Sequence, residues 1–362
     1  KVFKAEELFQ NVTDKNHPDE TVLTIIQGKG TLPREQAGRN IHYDDASLSN
    51  YKKVEQGDFI IHLRSFEGGL EMANEAGIVS PAYTILRCKR PHSSLFYDAY
   101  FHTDEFINHN LSKSVEGIRD GRQISYEAFK WLGIPYCEPT EQEKISNLFA
   151  ALNERIAKQR DLVESLKKYK RGLVKALISG TVAFAGSENK RWETVRLAEI
   201  FTISAGGDID RQNSSPTYST SYPYPVYANA LTNNGLYGYA NYFKVEGDSI
   251  TVSGRGEVGH AIARHCKYVP IVRLLSLVPK YEDDVDFFAY MINATSIYIE
   301  STGVPQLTSP QLGAVKVFRP PILEQKRISS LLLKIDAKIE NEERLTFYLE
   351  KIRSSMLQQL FI

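Results

Sequence analysis

The chain has 362 residues, is 42% hydrophobic and 24% charged, and balances 44 Lys plus Arg against 44 Asp plus Glu. That composition excludes a collagen-like, low-complexity or wholly disordered chain, and the length suggests two or three domains. No apolar run approaches the roughly 20 residues that cross a bilayer, and zero net charge weighs against a non-specific nucleic-acid binder. Cys88, Cys137 and Cys266 are odd in number and far apart, which gives neither a disulfide framework nor metal-ligand spacing. Such cysteines suit a reducing cytosol, so a cytoplasmic location is expected. The opening Lys1-Val2-Phe3-Lys4 has no initiator Met and no signal peptide, and a few residues are expected to be missing there.

Residues 1–137 read as short β-branched and aromatic runs bounded by Gly, Pro and Asn, with a few helices. Three stretches matter later: KKVEQGDFIIHLRS (52–65), LFYDAYF (95–101) and EGIRDGRQISYEAF (116–129). From Glu141 to Ile178 the pattern changes to apolar residues at three- and four-residue steps with no Pro, which predicts an amphipathic helix of roughly 57 Å. Thr140 with Glu143 is expected to form a capping box, with Pro139 closing the extended chain before it. Five basic residues in KKYKRGLVK (167–175) read as a solvated face near a helix C-terminus.

The second half repeats the first. FKVEGDSITVSGRG (243–256) is similar to 52–65, DFFAYMI (286–292) to 95–101, and STGVPQLTSPQLG (301–313) to 116–129. The repeat is plainest in the last forty residues, at a constant offset of 183. There Glu141-Gln142 meets Glu324-Gln325, Ile145 meets Ile328, Leu148 meets Leu331, Ile156 meets Ile339, Leu162 meets Leu345 and Leu177 meets Leu360. Two long helices in one chain most simply pack on each other as a two-stranded coiled coil. Because domain termini commonly lie close together, the helices should run antiparallel, with a pseudo-twofold relation between the copies. The expected fold is α+β: two mixed globular domains separated by two long antiparallel helices. Its segments would be 1–137, 138–185, 186–318 and 319–362.

Catalytic patterns are weak. GRGEVG (254–259) fits the dinucleotide fingerprint, but HAIARHCKYVP after it does not read as the helix that a pyrophosphate would need, so a strand–turn–strand is expected. Neither a phosphate-binding P-loop nor the Asp- or Asn-Pro-Pro-aromatic tetrapeptide of adenine methyltransferases occurs. His260 and His265 have no carboxylate near them in sequence and read as surface or core residues rather than metal ligands.

Two divergent domains, each followed by a near-repeated helix opening with Pro and Glu-Gln, resemble the specificity subunit of type I restriction–modification enzymes. The helices at 138–178 and 321–361, the stretch YPVYANALTNNGLYGYANYFKVEGDSITVSGRGEVG (224–259), and the ends around Gln123 and Gln306 carry the resemblance. RWETVRLAEIF (191–201) is similar to the usual opening of a second recognition domain, and the first domain lacks that Trp. The resemblance implies a non-catalytic subunit whose two target recognition domains read a bipartite, asymmetric site in double-stranded DNA. Its helices would dock two methyltransferase subunits and, in a complete assembly, restriction or translocase subunits. No cofactor is expected in this chain; S-adenosylmethionine would bind the partners, and no membrane is involved.

Charge by segment refines this. Residues 1–137 carry 16 basic and 19 acidic side chains, 138–180 carry 9 and 6, 181–316 carry 11 and 13, and 317–362 carry 8 and 6. The domains are slightly acidic, so they would read DNA through a few placed side chains. Arg suits guanine, and Asn or Gln suits adenine. Candidates beside permissive glycines are Arg64, Ser65, Arg119, Arg122 and Gln123 in the first domain, and Asn229, Asn233, Asn234, Arg255 and Gln306 in the second. Two other classes stay open: a coiled-coil scaffold with two protein-binding domains, and a dinucleotide-dependent enzyme resting on 254–259 alone.

Overall fold

A computed structural model describes residues 1–37, 45–117, 123–179, 192–297 and 306–361. The chain divides into two compact units: Lys1–Arg160 with Arg344–Ile362, and Asp161–Glu343. The long helices, Pro139–Ile178 and Ile322–Phe361, each contribute one segment to each unit.

In the first unit a four-stranded antiparallel sheet is ordered Phe9–Val12, Thr84–Cys88, Phe59–Ile61, Glu71–Met72. The helix Ser94–Phe101 covers it. Phe9, Phe59, Tyr97 and Phe101 are fully buried between them, with Phe59 and Phe101 edge to face at 4.9 Å. Such contacts favour aromatic pairs by about 1 kcal/mol beyond area burial. A hairpin of Leu23–Ile26 and Gly30–Pro33 stands beside this sheet. The helix segments close the core from below, where Phe361 lies 5.0 Å from Phe96 and 6.4 Å from Phe149.

The second unit repeats the order with Phe201–Ala205, Leu275–Pro279, Ser249–Val252 and Ala261–Arg264. Its covering helix is Val285–Ala294 and its hairpin is Tyr224–Tyr227 with Leu236–Ala240. The openings match as well. Val2–Lys4 pairs with Gly133–Pro135, and Glu193–Arg196 pairs with Lys316–Arg319. In each a single helical turn follows, closed by Lys4 N–H donating to Glu7 (2.8 Å) and by Arg196 N–H donating to Glu199 (3.0 Å). The first domain therefore has the same opening without the Trp.

Two sequence expectations need correction. The first long helix starts at Pro139, with the Glu138 carbonyl accepting from Glu141 and Gln142 N–H at 2.9 and 3.0 Å. Thr140 thus lies inside the helix rather than capping it, because Pro at the first helical position has no N–H to leave unpaired. The buried seam follows only some of the positions matched in the repeat. Gln142, Phe149, Ile156 and Val163 are buried at heptad steps, as are Gln325, Leu332 and Ile339, the spacing that keeps one edge of a helix against a neighbour. Leu148, Leu162, Leu345 and Leu360, matched in the repeat, are each about 40% exposed. In the first unit Arg160 Nε meets Glu350 at 3.1 Å, and in the second Lys167 meets Glu343 at 2.9 Å. Within each unit the two segments run antiparallel.

Candidate DNA interface

In the second unit three segments converge on Gly254-Arg255. Asn229, at the end of the hairpin's first strand, accepts the Gly254 N–H at 2.8 Å and donates to the Val272 carbonyl. Leu307 N–H donates to the Gly254 carbonyl at 2.9 Å. A Cβ at Gly254 would stand 2.7 Å from the Arg273 carbonyl oxygen, so the close approach demands glycine. Arg255 is exposed and donates to Gln306 Oε1 at 3.0 Å. Asn233 and Asn234 are exposed on the hairpin turn, both left-handed at φ 51°, a conformation Asn tolerates better than most residues.

Arg264 supports that turn from beneath. It is buried, lies 3.7 Å over the Tyr227 ring, and donates to Thr251 Oγ1 (2.9 Å) and the Asn234 carbonyl (2.7 Å). Burial lowers its pKa below the usual guanidinium value. Sequence reading missed Arg264. Its signal was a lone Arg among the small residues of HAIARHC, which nothing marks as buried.

In the first unit Arg64 is exposed at the start of the turn Ser65–Gly68. Ser65 is fully buried, and its hydroxyl accepts the His62 N–H at 2.9 Å. It shapes the turn that carries Arg64. Gln123 is exposed on a short strand paired with Val115–Glu116, against which the Arg64 turn packs. Arg119 and Arg122 lie outside the described residues. Arg64 corresponds to Arg255 at an offset of 191, and Gln123 to Gln306 at an offset of 183. The structure thus bonds Arg255 to Gln306 in the second unit and sets the turn after Arg64 beside the strand of Gln123 in the first.

The decoys resolve. Residues 254–259 join two antiparallel strands, Ser249–Val252 and Ala261–Arg264, and no helix opens at Gly259. His265, read as lacking a carboxylate, is held by Asp248 at 2.8 Å and Asp286 at 3.1 Å, partners too far away in sequence to be seen there. Burial alone would lower its pKa, but the two carboxylates outweigh that and raise it. Among the described residues no group of His, Cys, Asp and Glu could hold a metal ion, and no helix is long and apolar enough to cross a membrane. A groove of about 890 Å³ beside Lys170, Val174, Tyr290 and Phe318 contains none of the candidate residues.

A duplicated α+β domain with helix segments beneath each copy defines the class: a two-domain protein built on paired long helices. Residues 189–351 match the family model for the type I restriction modification DNA specificity domain. A Mycoplasma pneumoniae protein described as the type I specificity subunit S.MpnORF507P is 27% identical over 192 residues, 53% of this chain and 52% of that protein. A second from the same organism, S.MpnORF89P, is 30% identical over 145 residues, 40% of this chain and 42% of that protein. The chain spans about half the length of these relatives. The crystal structure of the S subunit of a type I restriction–modification system from M. genitalium shares the fold, with a TM-score of 0.61 at 16% identity over 100% of this chain and 96% of that one. The HsdS subunit of Thermoanaerobacter tengcongensis does so with a TM-score of 0.56 at 17% identity, again over 100% and 96%. A chain from a structure describing complex assembly and conformational transition of the type I R-M system has a TM-score of 0.61 at 15% identity, over 100% and 97%. Residues 189–351 thus match the type I restriction–modification DNA specificity domain, and the whole chain shares the fold of solved specificity subunits.

Proposed function

We propose that this chain is the DNA-reading, non-catalytic subunit of a type I assembly. Its two recognition domains, 1–137 and 186–318, each read one half of a bipartite, asymmetric site. The observation that carries the reading is the bond of Arg255 to Gln306, with the Arg64 turn packed beside the strand of Gln123 at the corresponding place in the first unit. Arg and Gln together suit the edges of guanine and adenine in the major groove. Arg119 and Arg122 belong to the same stretch as Gln123, and Asn229, Asn233 and Asn234 to the hairpin beside Arg255.

The segments 138–185 and 319–362 would dock two adenine-specific methyltransferase subunits, which hold the S-adenosylmethionine, and restriction subunits in the complete cytoplasmic complex. The partly exposed Leu148, Leu162, Leu345 and Leu360 support this, together with Phe347, 60% exposed, since apolar surface of this kind marks association sites. The test is a domain exchange. Replacing 186–318 by the corresponding segment of a relative should change one half of the methylated sequence in cells. A change in both halves, or in neither, would refute independent readers. A coiled-coil scaffold instead predicts no selection of any duplex from a random pool.

A further inference from the structure

The hairpin turn Gln27-Gly28-Lys29-Gly30 of the first unit carries none of the residues singled out from sequence, yet several buried and half-buried bonds hold it. Glu71 is fully buried beneath it and accepts two backbone N–H groups, Gly28 at 2.6 Å and Gly30 at 2.9 Å. The Asn74 amide donates to the carbonyls of Lys29 and Thr31 at 2.8 and 2.9 Å, and the Asn74 N–H donates to Thr31 Oγ1 at 3.0 Å. Gly30 has φ 77°, and a Cβ on it would meet the Met72 carbonyl at 2.5 Å and the Asn74 amide at 2.7 Å. The backbone on either side of Lys29 is thus fixed, while Lys29 itself is exposed. Among the described residues it has no ion-pair partner.

The place of the turn gives it a role. It joins the strands Leu23–Ile26 and Gly30–Pro33, as Asn233-Asn234 lies between Tyr224–Tyr227 and Leu236–Ala240 in the second unit. Each hairpin turn is tied to the neighbouring Arg-bearing turn. Asn229 bonds Gly254 beside Arg255, and the Gln27 amide rests directly on Gly68, whose N–H donates to the Arg64 carbonyl. Gln27 and Lys29 thus stand, exposed, on the turn that abuts the Arg64 turn, in a unit that is otherwise slightly acidic.

We propose that the Gln27–Gly30 turn is a DNA-contacting element of the first domain, with Lys29 neutralising one backbone phosphate and Glu71 acting as a positioning residue for it. This rests on the DNA-reading function above. Lys is a compact point charge suited to phosphate rather than to a base edge, and phosphate contacts fix register without reading sequence. A buried carboxylate that takes two N–H groups makes the turn rigid, so little ordering is needed on binding.

The experiment uses the full 362-residue chain and a random-sequence duplex of about 40 base pairs as probe, with binding measured between about 50 and 200 mM salt. K29A should reduce the slope of log affinity against log salt by about 0.9, so the loss across that range shrinks roughly threefold. K29R should restore the slope, and K29E should weaken binding further than K29A. An unchanged slope in K29A, with wild-type binding intact, would overturn the contact and leave the DNA-reading function standing. Wild-type chain that binds no duplex at any salt would overturn both.

Discussion

Gln325 Oε1 accepts the backbone N–H of Asp284 at 2.8 Å, and this bond joins the second long helix to the cap of the helix above it. Asp284 in turn caps Val285–Ala294 by accepting the Phe287 N–H at 2.8 Å. The Gln325 amide donates to the Pro320 carbonyl at 2.9 Å. In the first unit Gln142 does the same, accepting from Ser93 at 2.9 Å and donating to the Cys137 carbonyl at 2.7 Å. Both glutamines are buried, and both follow a Glu in the repeat.

Removing either amide strands a half-buried N–H and a carbonyl that is half-buried at Cys137 and buried at Pro320. Q325L and Q142L should each destabilise their own unit by about 1–3 kcal/mol. Q325E keeps the acceptor but places a second carboxyl beside Asp283, which Gln325 now contacts at 3.1 Å, so it should cost more at neutral than at acid pH. Thermal unfolding at two pH values would test the pair; equal losses for Q325E at both would show that charge plays no part.

The stability of the first unit should depend on pH through His102. Its Nε2 lies 3.4 Å from Glu71, and its Nδ1 lies 3.6 Å from Asp98, 2.8 Å from the Asp98 carbonyl. Burial alone would lower the His102 pKa, but the Glu71 bond and Asp98 outweigh it and raise the value. A raised histidine pKa contributes stability that is full below the ordinary value near 6.5 and fades as pH rises through the folded value. Glu71 is lowered, burial being outweighed by His102 and the two glycine N–H groups, so its contribution is lost only in acid, below the carboxylate range. Of the other groups in this cluster, burial raises Asp98, which His102 and, less, Arg353 partly offset, and burial lowers His62. The H102N variant should therefore be most destabilised relative to wild type below about pH 6, with the gap closing toward pH 8. A gap that is flat across this range would contradict the assignment.

Arg264 should matter for recognition more than for folding. It is a buried cation bonded to a hydroxyl that keeps a second partner, the Ile262 carbonyl, and to the carbonyl of the exposed Asn234, which water can reach, so an apolar residue of similar shape strands little. We expect R264M to unfold within about 1 kcal/mol of wild type, the net value of an ordinary hydrogen bond. Without the bond to its carbonyl, the Asn233-Asn234 turn loses its support, and discrimination at the second half-site should fall by about 1 kcal/mol or more, the scale of one base contact. Competition between duplexes altered in one half-site at a time measures this directly.

Arg255 and Gln306 should act as a unit. In a double-mutant cycle on second half-site affinity, R255A and Q306A should be non-additive by about 0.5–3 kcal/mol, as for residues in direct contact. First half-site discrimination should not change in any of the three variants. Additivity within error would mean that the 3.0 Å bond does not order the reading surface.

The amino-acid sequence determined the duplication, the two long helices and the mixed α+β character, because those are periodic signals: a constant offset, a three-to-four-residue stripe, and an alternation of β-branched and turn residues. It also carried Arg255 and Gln306, since turn glycines and polar side chains are visible locally. Only the tertiary structure decided what these residues do to one another. Ser65 turned from a candidate contact into a buried brace, His265 gained two distant carboxylates, and among the positions matched in the repeat Ile156 was buried while Leu148 and Leu162 stayed partly exposed, with Phe149 joining the seam. Glu71 and Arg264, the charged groups that fix the two hairpin turns, were invisible for the same reason. A charge in a sequence reads as surface, and only a fold that brings backbone N–H groups, a hydroxyl or an aromatic ring around it can bury it.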